Sequence, residues 1–252
     1  MATTLKFDNL NVLDSKRIDV KNGKSGRKYP TPIPYRQYFG EMYISPEEMR
    51  SRIDLAEEIE DVMLYILAYW AIATDADLPI DVDEVKRDGI ERLTAVVAKH
   101  TKLDPYLEKH ISDVVNEVVD VTEKHKKERE QELSDEEDDV EKFLKEESGE
   151  ESKPADYWTS RDRAMLISEN EANAFEEYTK YRAAKEEGKT KKTWVTEGDE
   201  KVRFTHVLEA EKTIDIDGLF LVGDSYMRFP KDTMYEPSAS ETVNCRCTCE
   251  YK

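Results

Sequence analysis

The chain has 252 residues, a formal net charge of −19 and equal shares, 38% each, of hydrophobic and charged side chains. That balance is apolar-poor and charge-rich for a globular protein and predicts helices with long solvated faces. It also sets up a whole-molecule field that repels nucleic acid and anionic lipid. The longest apolar run, residues 62–73, is too short to cross a bilayer, and MATTLKFDNL lacks a signal peptide's apolar core and cleavage site. No membrane partner is therefore expected, and the three cysteines of a chain made in a reducing cytosol are not expected to form a disulfide framework.

Residues 1–44 read as an extended basic, proline-rich arm. Pro30, Pro32 and Pro34 alternate, which favours a polyproline-like course. Lys21, Lys24, Arg27, Lys28 and Arg36 make the arm locally basic, suited to ordering against another molecule.

Residues 45–127 read as a helical region. Ser45-Pro46-Glu47-Glu48 has a capping residue, a proline at the first helical position and a glutamate at the third. Ile53, Ala56, Ile59, Met63, Ile66, Leu67 and Trp70 then recur at helical spacing, up to an interruption at 75–79. Asp81 or Asp83 caps a second helix, with Val85, Ile90, Leu93, Val96 and Val97 inward. A turn at Asp104-Pro105 opens a third, with Leu107, Ile111, Val114, Val115, Val118, Val119 and Thr122 inward.

Residues 128–153 are a block of like charge, either an acidic linker or a projecting helix. Residues 154–252 form the C-terminal domain. One helix carries Trp158, Ala164, Ile167, Ala174, Phe175, Tyr178 and Tyr181 as core positions and stops at Gly188. Beyond it, alternation and turn residues predict short strands. The fold class expected is α+β: a helical N-terminal region with a C-terminal helix plus a small β-rich domain.

Four metal-capable side chains lie in that β-rich end: His206, Cys245, Cys247 and Cys249. One histidine and three thiolates match the ligand count of zinc. On a straight strand, however, the three cysteines face one way in a row too long to share one ion. The alternative is a terminal strand whose cysteines are small buried apolar side chains. An enzyme is not expected. Arg203, His206, Glu209 and Glu211 offer an E-x-E pair of the kind used in ADP-ribosyl transfer, without the upstream arginine and Ser/Thr-rich strand. The G-x-S-x-G, Walker and H-E-x-x-H patterns are all missing. For nucleic acid the signal is thin, because basic residues are not interleaved with aromatics.

The ordered run Trp194, Asp199, Arg203, His206, followed by DGLFL at 217–221 and Asn244, Cys245, Cys247, resembles the C-terminal domain of the Mu F-like phage head-morphogenesis family. These are the minor head proteins of tailed bacteriophages. The preceding ISENEANAF at 167–175 fits the same pattern. The resemblance covers about the last 95 residues; Cys249 lies outside it, and EAEKTIDID is longer than the loops often found there. It implies a structural component of the virion head that binds the portal protein or the major capsid protein at the inner capsid surface during assembly, and that assists genome packaging or ejection. The alternative is a zinc-dependent nucleic-acid-binding module acting on the packaged genome.

Overall fold

The computed structural model describes residues 33–75, 79–134 and 157–252. Most of the basic arm and most of the acidic block lie outside them. The described end of the arm is not extended. Tyr35–Gly40 form a short helix, α1, which turns back so that Tyr35, Tyr38, Phe39 and Met42 are buried. Aromatic burial outweighs the extended bias of the prolines before it.

Helix α2, Pro46–Asp75, starts at the capping box: Ser45 Oγ accepts from the Glu48 N–H (3.2 Å), and Glu48 accepts from the Ser45 N–H (2.9 Å). Asp81 caps α3, Val82–His100, by accepting from the Glu84 N–H. Asp104 Oδ1 accepts from the N–H groups of Tyr106 and Leu107 at the start of α4, Pro105–Ser134. The acidic block is thus helical as far as Ser134. These helices meet most closely at Gly89, where a Cβ would lie 2.9 Å from both Ile66 and Val115. Ile90, expected inward, is only half-buried.

After a 3-10 turn at Tyr157–Thr159, Ser160 caps α5, Arg161–Glu186. Gly188, in the left-handed region (φ 76°), ends it, with Lys189 donating to the Ala184 carbonyl. Helix α5 packs along α2 and buries Glu169, Glu171, Asn173 and Glu177 beside its apolar residues, while Ile167 and Trp158 are only half-buried.

The remaining elements are β1 (Lys191–Val195), the helical turn α6 (Phe204–Val207), β2 (Thr213–Asp215), β3 (Phe220–Val222), β4 (Ser225–Met227), the helical turn α7 (Ala239–Thr242) and β5 (Thr248–Tyr251). One antiparallel sheet runs β2-β1-β5, with Trp194 opposite Cys249. The hairpin β3-β4 turns at Gly223 (φ 58°). The α+β architecture is as expected. One cluster of buried side chains runs from Tyr35 to Cys249, so the division at residue 154 is one of composition, and the helical and β-rich parts share a core.

That shared core contains a fully buried ion pair, Arg52–Glu177 at 2.6 Å. Replacing Glu177 by leucine alone leaves the guanidinium uncompensated and is expected to cost about 3–5 kcal/mol. The double substitution Arg52→Met/Glu177→Leu is expected to cost less than the single one, as read by urea unfolding.

Glu169 gives a pH signature. Burial pushes its carboxyl up to about 7, with the Lys231 charge pulling weakly the other way, and one of its oxygens is buried without a hydrogen-bond partner. Between about pH 4.5 and 7 the folded protein therefore holds a proton that the unfolded chain releases, so this group's contribution falls as pH rises through that window. Glu169→Gln is expected to remove the fall, a gain of roughly 3 kcal/mol over wild type at pH 8 that vanishes below pH 4.5.

Candidate functional site

Trp194, at the buried end of β1, is the floor of the site. Its ring is wedged against Phe220 (centroids 5.1 Å apart) and meets the His206 ring edge-on at 5.8 Å. His206 sits on α6, a helical turn rather than the strand that its alternating neighbours suggest. The second wall comes from the C-terminal segment. Asn244 adopts a left-handed conformation (φ 55°), which turns the backbone just before the cysteines, and β5 begins only at Thr248.

That turn changes the arrangement expected of the cysteines. Cys245 and Cys247 do not lie in a row along a strand; both sulfurs reach His206 Nδ1, at 3.5 and 3.3 Å. Cys249 does lie on the strand, and it is held elsewhere: its N–H donates to Glu177 (3.2 Å), and burial, with the charge of Glu177, pushes its thiol up. Of the four candidate ligands, the fold brings together His206, Cys245 and Cys247 and sets Cys249 apart.

His206, Cys245 and Cys247 are almost wholly buried. A hydrogen bond from Cys247, helped by His206 and opposed by burial, holds the Cys245 thiol well below the ordinary range. The same hydrogen bond, with burial, pushes Cys247 up. Burial works against a charge on His206, but its contact with Cys245 prevails and raises it. The far ring nitrogen, Nε2, contacts Glu241 at 3.0 Å, and Glu241 accepts from Thr205 Oγ1 at 2.8 Å. Chemically this is a buried soft-ligand cluster: one imidazole ring and two cysteine sulfurs, oriented by a carboxylate.

A cleft opens beside the cluster, lined by Glu197, Lys201, Arg203, Asn244 and Arg246. Asp199 grips Arg246 with both oxygens (2.7 and 2.8 Å), and Arg203 donates to the Val243 carbonyl. Glu41, just beyond α1, binds both Lys201 (2.9 Å) and Arg246 (3.2 Å). All seven residues of the sequence pattern, Trp194, Asp199, Arg203, His206, Asn244, Cys245 and Cys247, thus border one site. The E-x-E pair does not form a carboxylate pair on a strand: Glu209 is buried against Lys212 (2.6 Å), and Glu211 occupies a left-handed turn.

Glu241 and Glu41 escape a reading by sequence. Glu241 had a signal, the Ser238-x-x-Glu241 spacing of a helical turn; Glu41 had none, since only the tertiary fold carries it across to Arg246. Comparison of the chain with family models, with curated proteins and with solved structures gives no match.

The placement of the three thiols predicts an order of reactivity. In native, chelator-treated protein, iodoacetamide is expected to modify Cys245 and Cys247, which line the cleft, before Cys249, which does not. Peptide mass spectrometry at successive times reads that order, and all three are expected to react alike in guanidinium chloride.

Proposed function

We propose that the chain is a structural minor head protein of a tailed phage, binding the portal protein or the major capsid protein at the inner surface of the virion head during assembly. The observation that carries this reading is the convergence described above. Residues spread over positions 194–247, which together resemble the Mu F-like pattern, gather around one buried cluster.

A surface suited to a protein partner lies beside the cluster. Phe204 and Leu208 of the α6 turn are exposed, Phe204 to 74%. Leu221 and Tyr226, opposite each other on the β3-β4 hairpin, are exposed as well. Thr205, beside Phe204 in the chain, approaches the hairpin turn at Gly223, and the exposed apolar side chains on both elements offer contact area to a protein partner. The reading with nucleic acid as partner keeps the same cluster, but the net charge of −19 opposes it.

Co-sedimentation of the full chain with the portal protein encoded beside its gene tests the proposal. Wild type is expected to co-sediment at moderate salt, and Phe204→Asp/Leu208→Asp to lose at least tenfold in affinity with its thermal unfolding unchanged. Wild type remaining in the supernatant with both portal and major capsid protein would remove the assembly reading. Binding to DNA that weakens steeply with salt would put the nucleic-acid reading in its place.

A further inference from the structure

We infer that His206 Nδ1, Cys245 Sγ and Cys247 Sγ form a zinc site that fastens the C-terminal segment to the α6 turn, with Cys249 outside it. This inference is independent of the minor-head reading.

Geometry carries it first. The three ligand atoms lie within 4.8 Å of one another. A tetrahedral zinc ion with Zn–N near 2.0 Å and Zn–S near 2.3 Å separates its nitrogen and sulfur ligands by about 3.5 Å. The two nitrogen–sulfur separations here, 3.3 and 3.5 Å, match that edge.

The lone pairs point the same way. Both sulfurs converge on the single ring nitrogen Nδ1, the arrangement in which one cation takes a lone pair from each of the three atoms. With two thiolates and a neutral imidazole the zinc cluster carries no net charge, which suits its burial.

The surroundings orient each ligand. Glu241 at Nε2 reproduces the carboxylate–histidine–metal arrangement that fixes the tautomer and presents the Nδ1 lone pair to the metal. Room for Glu241 depends on Gly223, where a Cβ would sit 2.9 Å from its carboxylate oxygen. The cysteine loop is fixed through the Cys245 carbonyl, which accepts from Asn173 Nδ2 (3.0 Å) and from the Tyr38 hydroxyl (3.4 Å). Three elements distant in sequence thus hold the ligands. The cleft beside the three ligands gives water access to the fourth coordination position, and water completes the tetrahedron.

Cobalt(II) titration of the reduced full chain tests the site, since thiolate-to-cobalt charge-transfer absorption reports cysteine ligation directly. One equivalent is expected to bind with tetrahedral d–d bands and to be displaced by one equivalent of zinc. Cys249→Ser is expected to bind as wild type does, Cys245→Ser and Cys247→Ser to lose most of the charge-transfer band, and Glu241→Gln to bind about 10–100-fold more weakly. Wild type without a thiolate-to-cobalt band at micromolar cobalt in the absence of zinc would overturn the inference whatever the variants do. Loss of the band in Cys249→Ser, with its circular dichroism unchanged, would overturn the ligand assignment.

Discussion

The buried pair of Arg52 and Glu177 is the constraint around which the molecule is organised. Neither side chain reaches solvent, so every polar atom has to be answered from within. Glu177 accepts from Arg52, from the Thr248 hydroxyl (2.6 Å) and from the Cys249 N–H. Arg52 reaches the Asn173 side chain and carbonyl, and Asn173 in turn holds the Cys245 carbonyl. A pair of this kind adds little net stability over apolar side chains of similar shape. What it contributes is a set of hydrogen bonds that ties β5 to α2 and α5 at once, with Arg52 Nε left buried and unpartnered. Residue 52 thereby sets the position of the last ten residues, and with them the sulfurs of the candidate site.

The same economy extends along α5. A chain with so few apolar residues still buries that helix, and does so by pairing its polar groups. His110 of α4 contacts Glu171 (2.8 Å) on one side and Thr233 (3.0 Å) on the other. Asp232, fully buried, takes Arg228 and Tyr106. Lys231, beside it, donates to Asn170 and to the Thr242 carbonyl. The interface between the helical part and the β-rich part thus contains a hydrogen-bonded layer, with Phe175 edge-on to His110 and Tyr178 tilted against Phe229. Buried polar networks specify one arrangement when fully satisfied. Glu169, with an unanswered oxygen, is the place where this layer is incomplete.

Backbone strain gathers where the candidate site needs it. Lys231, Glu236 and Asn244 all take left-handed conformations within the segment that leads to the cysteines. Each is uncommon for a residue other than glycine, and such conformations persist only where the surroundings determine them. Lys231 is held by its buried hydrogen bonds, and Asn244 lies between the Thr242 and Cys245 contacts that anchor the loop. The product is a sharp turn that directs Cys245 and Cys247 toward His206.

Much of the helical part was legible in the residues alone. The box at Ser45–Glu48, a cap at Asp81 or Asp83, the turn at Asp104-Pro105 and the inward residues of α4 follow from local hydrogen bonding and a period of 3.6, which act within a few residues of chain. The set of candidate ligands, and the gathering of small strands at the C-terminus, also came from residue type and order. Tertiary structure alone decided the rest. It recruited the end of the presumed arm into the core, because Tyr38 and Phe39 find apolar partners only in the assembled molecule. It buried Arg52 against Glu177, a pairing across 125 positions that no local pattern gives. It also separated Cys249 from its two neighbours, since a turn at Asn244, rather than strand alternation, directs the sulfurs. Local rules read spacing along the chain; which groups meet across long stretches of it depends on how α1, α2 and α5 pack against the C-terminal segment.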